Sequence, residues 1–276
     1  MIGQTKNKQW VENLINNNTF PRFVILQGKK GSGKHTFCQY IAKQLECPCL
    51  YIDNTIDSVR KMIDVAYTQA NTVLYCIEEC QSMSFRTKNA LLKICEEPCE
   101  KAYIILMTTD DSLLATLKSR AVTVQMLPYS NSDKEEYIRT TNVLADTQSI
   151  QYIIEIAENI GQVKELIQKG NVKNLVDTVN KVVNSLGKAS LGNALKIGSY
   201  IKTKNTSEGY DCEIFLQALK FCYYEQALQN NKFMESNYKK IKCINNCLHK
   251  FSATKYNTQA ILDNLIIQLK DLYEVI

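Results

Sequence analysis

Three kinds of sequence pattern are missing from this chain of 276 residues. No apolar run approaches the length of about 18 residues that a membrane-spanning helix requires, so we expect no membrane contact. There is no internal repeat and no low-complexity linker, which argues against a solenoid or a disordered tether. The start at Met1 lacks the basic and apolar regions of a signal peptide, so we expect a cytoplasmic protein with reduced thiols.

The eleven cysteines lack the spacing of a zinc site. A tetrahedral zinc site usually takes its ligands from two short pairs, but Cys47-Pro48-Cys49 is the only tight pair here. The other close pairs have helix-like or loop spacings: Cys76/Cys80, Cys95/Cys99 and Cys243/Cys247. We therefore expect no zinc, with most of these thiols acting as small buried apolar side chains.

Composition is that of an ordinary globular protein, with 45% hydrophobic and 22% charged residues. The net charge of +5 comes from 33 basic and 28 acidic side chains, a bias compatible with work near nucleic acid but too small to indicate contact. The length favours one large N-terminal domain followed by one or two smaller ones.

The first 130 residues alternate short apolar runs with longer amphipathic stretches. The runs are typical of strands covered on both faces, and the alternation predicts an α/β fold in which a parallel sheet carries helices on both sides. The predicted strands are 22–27, 49–52, 72–77, 102–108 and 121–126, and the predicted helices are 34–46, 55–70, 84–97 and 112–117.

After Pro128 the pattern is helical to the end. A small three-helix group covers 133–140, 149–159 and 162–169, and the longer helices are predicted at 172–186, 192–204, 212–230, 232–251 and 257–275. We therefore predict an α/β domain at 1–128, a three-helix lid at 129–176 and a helical domain at 177–276. The basic run Lys239-Lys240-Ile241-Lys242 is interpreted as a solvated helix face rather than a DNA site.

A phosphate-binding loop is predicted between the first strand and the following helix. The segment Gly28-Lys29-Lys30-Gly31-Ser32-Gly33-Lys34 has the G-x-x-x-x-G-K spacing, and His35-Thr36 opens the helix. The glycines allow close backbone approach, the amides of this segment bind phosphate, and Lys34 meets the β- and γ-phosphates. The alternative is a glycine-rich turn without a ligand.

Two positions depart from this pattern where magnesium is normally held. The residue after Lys34 is normally Ser or Thr, whose hydroxyl binds the metal, but here it is His35. Thr36 lies about 100° further around the helix and does not substitute. The strand ending at Ile77 is followed by Glu78-Glu79 in place of a metal-binding Asp and a water-polarising Glu. We therefore predict weak ATP or ADP binding, a poorly formed magnesium site and a degenerate catalytic role for Glu79.

Several further segments carry a resemblance to a known family. The chain resembles clamp-loader ATPases of the AAA+ class, most of all the delta-prime type of subunit of bacterial DNA polymerase III. The matching segments, beside the loop, are 2–4, 77–83, 89–98 (NALLKICEEP), 108–110 and 116–121 (TLKSRA). The resemblance implies an AAA+ sheet domain, a small helical lid and a helical collar that joins subunits into a ring.

The resemblance also implies roles for individual residues. Arg120 matches the arginine of the family's Ser-Arg-Cys motif, a finger that acts on a neighbouring subunit's ATP, with Ala121 in place of the cysteine. Thr108 or Thr109, with Thr109 preferred, matches the first sensor, and either could instead cap the following turn. Lys164 matches the second sensor, where ATP-hydrolysing members carry arginine. Lysine does not replace a bidentate arginine.

The resemblance implies a delta-prime-like clamp-loader subunit with little or no ATPase activity of its own. Its partners would be delta and gamma/tau-type subunits, and it would reach the sliding clamp and primer-template DNA through that assembly. The alternatives are an active gamma/tau-like clamp-loader ATPase, another DNA-linked AAA+ ATPase, and a scaffold with neither nucleotide nor finger activity.

Overall fold

The computed structural model of this chain describes residues 1–141, 146–170, 172–207, 212–229, 234–252 and 257–274. The strands of this part are β1 (Phe23–Gln27), β2 (Cys49–Ile52), β3 (Val73–Ile77), β4 (Ala102–Thr108) and β5 (Val122–Gln125). The helices are α1 (Thr5–Asn16), α2 (Lys34–Gln44), α3 (Ile56–Thr68), α4 (Phe85–Glu96), α5 (Ala115–Lys118), α6 (Asn131–Thr140), α7 (Thr147–Ile156), α8 (Ile160–Lys169), α9 (Val172–Leu186), α10 (Leu191–Ser207), α11 (Cys212–Gln229), α12 (Met234–Ser252) and α13 (Thr258–Glu274), with a 3₁₀ turn at Cys80–Ser82.

The five strands form one parallel sheet in the order β2-β3-β4-β1-β5. Phe23 of β1 lies opposite Ile104 of β4, and Val24 lies opposite Val122 of β5. Every strand pair therefore needs a crossover connection, which the helices between the strands supply. The predicted α/β class with a parallel sheet is confirmed.

Helices cover both faces of the sheet because side chains alternate between the faces along each strand. In β4, Ile104 and Leu106 belong to the core shared with α3, α4 and α5. Ile105 and Met107 belong to the core shared with α1 and α2. The near-continuous apolar runs of the central strands follow from this double burial.

The two edge strands are less covered than the sequence predicts. Leu50 and Tyr51 of β2 are 46% and 38% exposed, and Val122 of β5 is 42% exposed. An edge strand has a neighbour on one side only, and these two also receive less helix cover. The expectation of burial on both faces was wrong for β2 and β5.

Side-chain caps fix the starts of two helices close to their predicted positions. The hydroxyl oxygens of Thr55 and Ser84 accept hydrogen bonds from the backbone N–H groups of Ser58 and Thr87. These bonds satisfy amides that have no partner within the helix, which is why α3 and α4 begin there.

Helix α1 was not predicted, although its residues pack into the core around α2. Gln4 precedes it and bonds twice to Leu127: its Nε2 donates to the Leu127 carbonyl at 2.6 Å, and its Oε1 accepts from the Leu127 N–H at 2.9 Å. The start of the chain is thereby attached to the segment that follows β5.

The remaining helices agree with the predicted pattern to within a few residues. The predicted ends at Asn230 and Val275 and the predicted start at Lys232 lie outside the described residues. Within the described ranges, no helix has the length and apolar character to cross a membrane.

The chain divides into two compact units. The first contains Met1–Thr140 together with Asn159–Gly161, and the second contains Thr141–Glu158 and Gln162–Ile276. The first unit holds the sheet and α6, and the second is helical. The three-part division at 128 and 176 stays a prediction.

The second unit contains a buried lysine where the sequence indicated a solvated face. Lys240 is only 3% exposed, and its ammonium lies 3.6 Å from the ring centroid of Tyr273 and 5.3 Å from that of Tyr223. Burial lowers the pKa of Lys240 to about 8. Its neighbour Lys239 is exposed and pairs with Glu235 at 2.7 Å. The interpretation of the basic run as solvated was wrong for Lys240.

Candidate nucleotide site and arginine finger

The phosphate loop lies where β1 ends and α2 begins, at the carboxyl edge of the sheet. Gly28 donates its N–H to the Thr108 carbonyl at the end of β4, at 3.0 Å. Gly31 and Gly33 have φ angles of +78° and +87°, which side-chain-bearing residues rarely adopt. The glycine spacing predicted from the sequence therefore serves a backbone path that only glycine follows at low cost.

Five consecutive carbonyl groups of the loop, from residue 28 to residue 32, all accept hydrogen bonds. The pairs are Gly28 O with Lys34 Nζ (2.5 Å), Lys29 O with Lys34 Nζ (3.0 Å) and Ser32 N (3.2 Å), Lys30 O with Asn159 Nδ2 (3.1 Å), Gly31 O with Gly161 N (3.0 Å), and Ser32 O with Tyr129 Oη (3.1 Å). Donors from four parts of the first unit thus fix the loop backbone.

The amides that follow these carbonyls are unpaired. The N–H groups of Gly33, Lys34, His35 and Thr36 have no acceptor in the part of the chain that the structure describes. They lie at the N-terminus of α2, where the helix dipole favours an anion. The buried hydroxyl of Ser32 also has no partner among the described residues. This arrangement suits a phosphate group better than a ligand-free turn, which would satisfy its buried polar atoms internally.

Lys34 is held against the loop rather than extended into solvent. Its ammonium donates to Gly28 and Lys29, and burial lowers its pKa. The ammonium therefore lies at the loop whose contact with phosphate the sequence predicts.

The two positions that ordinarily hold magnesium contact each other in this chain. His35 Nδ1 lies 3.4 Å from Glu78 Oε1, and the imidazole ring stacks on Tyr51 with a centroid distance of 5.0 Å. The Tyr51 hydroxyl donates to the His35 carbonyl at 3.2 Å. Magnesium requires hard oxygen ligands in a near-octahedral shell, whereas imidazole suits softer metals. These residues do not fit a magnesium ion.

Glu79 has a strained backbone and an exposed side chain. Its φ of +47° is unusual for a residue other than glycine, and its carbonyl accepts from Ser82 N, Ser82 Oγ and Asn54 Nδ2. Across the described residues there is no group of three or more His, Cys, Asp or Glu side chains placed to hold a metal. The degenerate role predicted for Glu79 stays a prediction.

The two threonines at the end of β4 differ in their surroundings. The Thr108 hydroxyl is buried and bonds to the backbone of Asp110, accepting from its N–H and donating to its carbonyl. The N–H of Thr109 donates to Gln81 Oε1 at 3.3 Å, and its side chain is exposed. Thr108 therefore shapes the turn, while the sensor role predicted for Thr109 stays a prediction. Lys164 is an exposed residue of α8 in the second unit, and its role stays a prediction as well.

Arg120 lies between α5 and β5 with its guanidinium at the surface. One terminal nitrogen, Nη2, pairs with Glu96 Oε1 at 2.8 Å. The other, Nη1, donates to the Thr116 carbonyl at 2.9 Å and to Ser119 Oγ at 3.3 Å. Because the Arg120 side chain is 36% exposed and the Glu96 side chain 53%, this ion pair contributes only about 0–1 kcal/mol. The guanidinium is therefore held in place but can exchange its partner at low cost.

Sequence reasoning missed four residues of these two sites. Tyr51, Tyr129 and Asn159 contact the loop region from distant parts of the chain, and no local pattern identifies such contacts. Glu96 stands in the quoted NALLKICEEP segment, so its signal was present, but its pairing with Arg120 depends on how α4 and α5 pack.

Part of the chain is similar in sequence to subunits of DNA polymerase III. Residues 51–130 match the family model described as DNA polymerase III, delta subunit. The chain is 23% identical to the DNA polymerase III subunit gamma of Buchnera aphidicola subsp. Acyrthosiphon pisum, over 83% of this chain and 78% of that protein. It is 24% identical to the subunit tau of Bacillus subtilis, over 55% of this chain but only 32% of that protein.

This chain is similar to DNA polymerase III clamp-loader proteins of the AAA+ class. Solved structures agree on the fold. The Thermotoga maritima RuvB Holliday junction branch migration motor superposes with a TM-score of 0.52 at 16% identity, covering 79% of this chain and 87% of that one. A point mutant of the same motor gives a TM-score of 0.53 at 18% identity, covering 79% and 88%. At this level of identity the likeness supports an AAA+ fold for this chain and nothing further.

Proposed function

We propose that this chain is a delta-prime-like subunit of a DNA polymerase III clamp loader. Its main chemical contribution is Arg120, which completes the ATP site of a neighbouring subunit. The assembly, with delta and gamma/tau-type subunits, loads the sliding clamp onto primer-template DNA in the cytoplasm. The three-helix lid and the helical collar predicted from the sequence serve the docking of subunits.

One observation carries the proposal: the chain keeps an exposed, pre-positioned arginine while its own metal position is occupied by a His35–Glu78 contact. An arginine finger needs a planar cation that can reach a phosphate on another molecule. Arg120 lies at the surface, and leaving Glu96 costs at most about 1 kcal/mol, which a phosphate contact easily exceeds. A chain that hydrolysed its own ATP would instead need a magnesium site.

The loop contributes weak binding of ATP or ADP, because its amides and Lys34 are positioned for phosphate even though the metal position is altered. We propose contacts of Gly28, Gly31, Ser32, Gly33 and Lys34 with the nucleotide. His35, Thr36 and Glu78 border it, and Thr109 and Lys164 are the candidate sensors. Little or no hydrolysis follows.

The test replaces Arg120 in a reconstituted clamp loader. Arg120→Ala should lower the DNA-stimulated ATPase rate of the complex by at least the share of the one site that Arg120 completes, since arginine fingers contribute about 10³–10⁵ to a single site. Arg120→Lys should restore only a small part, because lysine lacks the bidentate fork. The matched control is Arg86→Ala, which removes a different exposed arginine, located in α4.

The second candidate is an active gamma/tau-like ATPase, which the identity to gamma and tau subunits favours. Robust DNA-stimulated ATP hydrolysis by the purified chain alone would establish it and remove the delta-prime proposal. An unchanged rate for Arg120→Ala in a complex that still assembles would leave only a scaffolding role.

A further inference from the structure

In this chain the phosphate-binding part of the loop is kept, whereas the metal-binding part is replaced by other side chains. The phosphate-binding part keeps its expected features among the described residues: hydrogen-bonded carbonyls, unpaired amides at the start of α2, and Lys34 bonded to the carbonyls of Gly28 and Lys29. The metal-binding part is replaced by an ordered group of side chains from α2, β2 and the end of β3, namely His35, Tyr51 and Glu78.

This replacement is organised rather than a simple loss of ligands. The stacking of Tyr51 on the imidazole, at an interplanar angle of 28°, fixes the plane of the His35 ring. The Tyr51 hydroxyl also bonds to the His35 carbonyl, and Nδ1 faces the Glu78 carboxylate. Side chains from three parts of the sheet domain therefore occupy the region between the end of β3 and the start of α2.

Magnesium binding would require this group to come apart. One Glu78 oxygen is in contact with the imidazole, and His35 offers no oxygen in place of the usual hydroxyl. Phosphate binding needs none of these changes, since the helix N-terminus and Lys34 supply the favourable charge. The two functions of the loop have therefore become separable.

We propose that this chain binds ADP or ATP as the metal-free nucleotide, with the His35–Glu78 contact standing in the place of the magnesium ion. The inference rests on the nucleotide binding proposed above and is independent of the role of Arg120. It predicts a nucleotide affinity that magnesium does not raise, in contrast to ordinary phosphate-loop ATPases, whose metal bridges the β- and γ-phosphates.

The experiment titrates the purified 276-residue chain with a fluorescent ATP analogue, in excess EDTA and in excess magnesium. The two dissociation constants should agree within about twofold, a difference of roughly 0.4 kcal/mol. Lys34→Ala should weaken binding at least about tenfold in both conditions, which locates the nucleotide in the loop.

A double variant tests the cause. His35→Ser combined with Glu78→Asp supplies a hydroxyl and a shorter carboxylate, and magnesium should then tighten binding at least about tenfold. His249→Ser, which changes the other histidine on the exposed side of α12, should behave like the unmodified chain. Circular dichroism of each variant confirms that it is folded.

Three outcomes would overturn the inference, and the first two need no variant. One is binding by the unmodified chain that magnesium, zinc or nickel tightens about tenfold. Another is the absence of binding in both conditions, which would leave the Arg120 prediction untouched. The third is a folded double variant that remains indifferent to magnesium, because the His35–Glu78 contact would then not be the cause.

Discussion

The backbones of Gly31 and Gly161 approach each other closely at the phosphate loop. The substitution Gly161→Ala, which adds a single methyl group, tests this contact. A Cβ added at Gly161 would lie 2.4 Å from the Gly31 Cα and 3.0 Å from the Gly31 carbonyl oxygen. Both neighbours are backbone atoms and cannot rotate away as a flexible side chain could. The variant Gly161→Ala must therefore push the Asn159–Gly161 segment away from the loop.

Three contributions determine the expected change in the free energy of unfolding for Gly161→Ala. Overpacking of this kind costs about 1–3 kcal/mol. Loss of the hydrogen bond from Gly161 N–H to the Gly31 carbonyl costs about 1 kcal/mol more. Alanine returns up to about 1 kcal/mol through its better helix propensity, because Gly161 is the second residue of α8. The net expectation is destabilisation by about 1–3 kcal/mol.

The chain offers a matched control in Gly192, the second residue of α10. A Cβ there would meet no atom within 4 Å, so Gly192→Ala should be neutral or stabilising by up to about 1 kcal/mol. Urea unfolding measures both variants, and the fluorescent nucleotide titration reports the loop. Gly161→Ala should also weaken nucleotide binding, because the Gly31 carbonyl loses its donor. Equal stability of the two variants, with unchanged nucleotide affinity, would refute the reasoning.

Two further predictions concern buried groups. Lys240→Met should raise the free energy of unfolding at neutral pH by on the order of 1–3 kcal/mol. The substitution removes the cost of burying an ammonium whose pKa falls to about 8, and this gain exceeds the loss of the cation–π contact with Tyr273. Since the folded-state pKa of Lys240 lies below the ordinary 10.5, the unmodified chain should become more stable as pH rises above about 8. Urea unfolding at pH 7 and pH 9 should show this increase for the unmodified chain and not for Lys240→Met. Burial raises the pKa of the Cys80 thiol to about 12, so iodoacetamide should label Cys80 in urea but scarcely at all in the folded chain at pH 8, whereas rapid native labelling located by mass spectrometry would contradict the burial.

The sheet was predictable because its signal is local. An apolar run of four to seven residues bounded by helix-period stretches identifies a strand wherever it lies, and 49–52 and 102–108 were located to the residue. Helix α1 was missed because it lies before the first strand and its apolar stripe, which includes Val11, is short among polar residues. The burial of Lys240 was missed because α12 alone is amphipathic in the ordinary way, and two tyrosines from other helices enclose the ammonium.

The residues of the candidate site also divide into those with a local sequence signal and those whose contacts depend on the fold. The loop glycines and Lys34 were predicted because their spacing is fixed by chemistry that acts within a few residues, whereas Arg120 was predicted through the resemblance to the family's Ser-Arg-Cys motif. The contacts of Tyr129 and Asn159 with the loop carbonyls connect residues 97 and 129 positions apart in the chain, so they depend on the completed fold. His35 was identified as a departure from the pattern, but its contact with Glu78 required the end of β3 to lie beside α2.

These long-range contacts explain how a phosphate loop can keep its shape after its metal position has changed. Tyr129, Asn159 and Gly161 donate to the loop carbonyls from outside the loop, and Lys34 donates to two of them from its C-terminal end. The backbone path is thereby set by protein donors and not by the ligand. The loop geometry therefore does not depend on the residues at the metal position. In the proposed delta-prime-like subunit, this loop geometry would keep Arg120, which belongs to the same unit, in position for a neighbouring subunit's ATP.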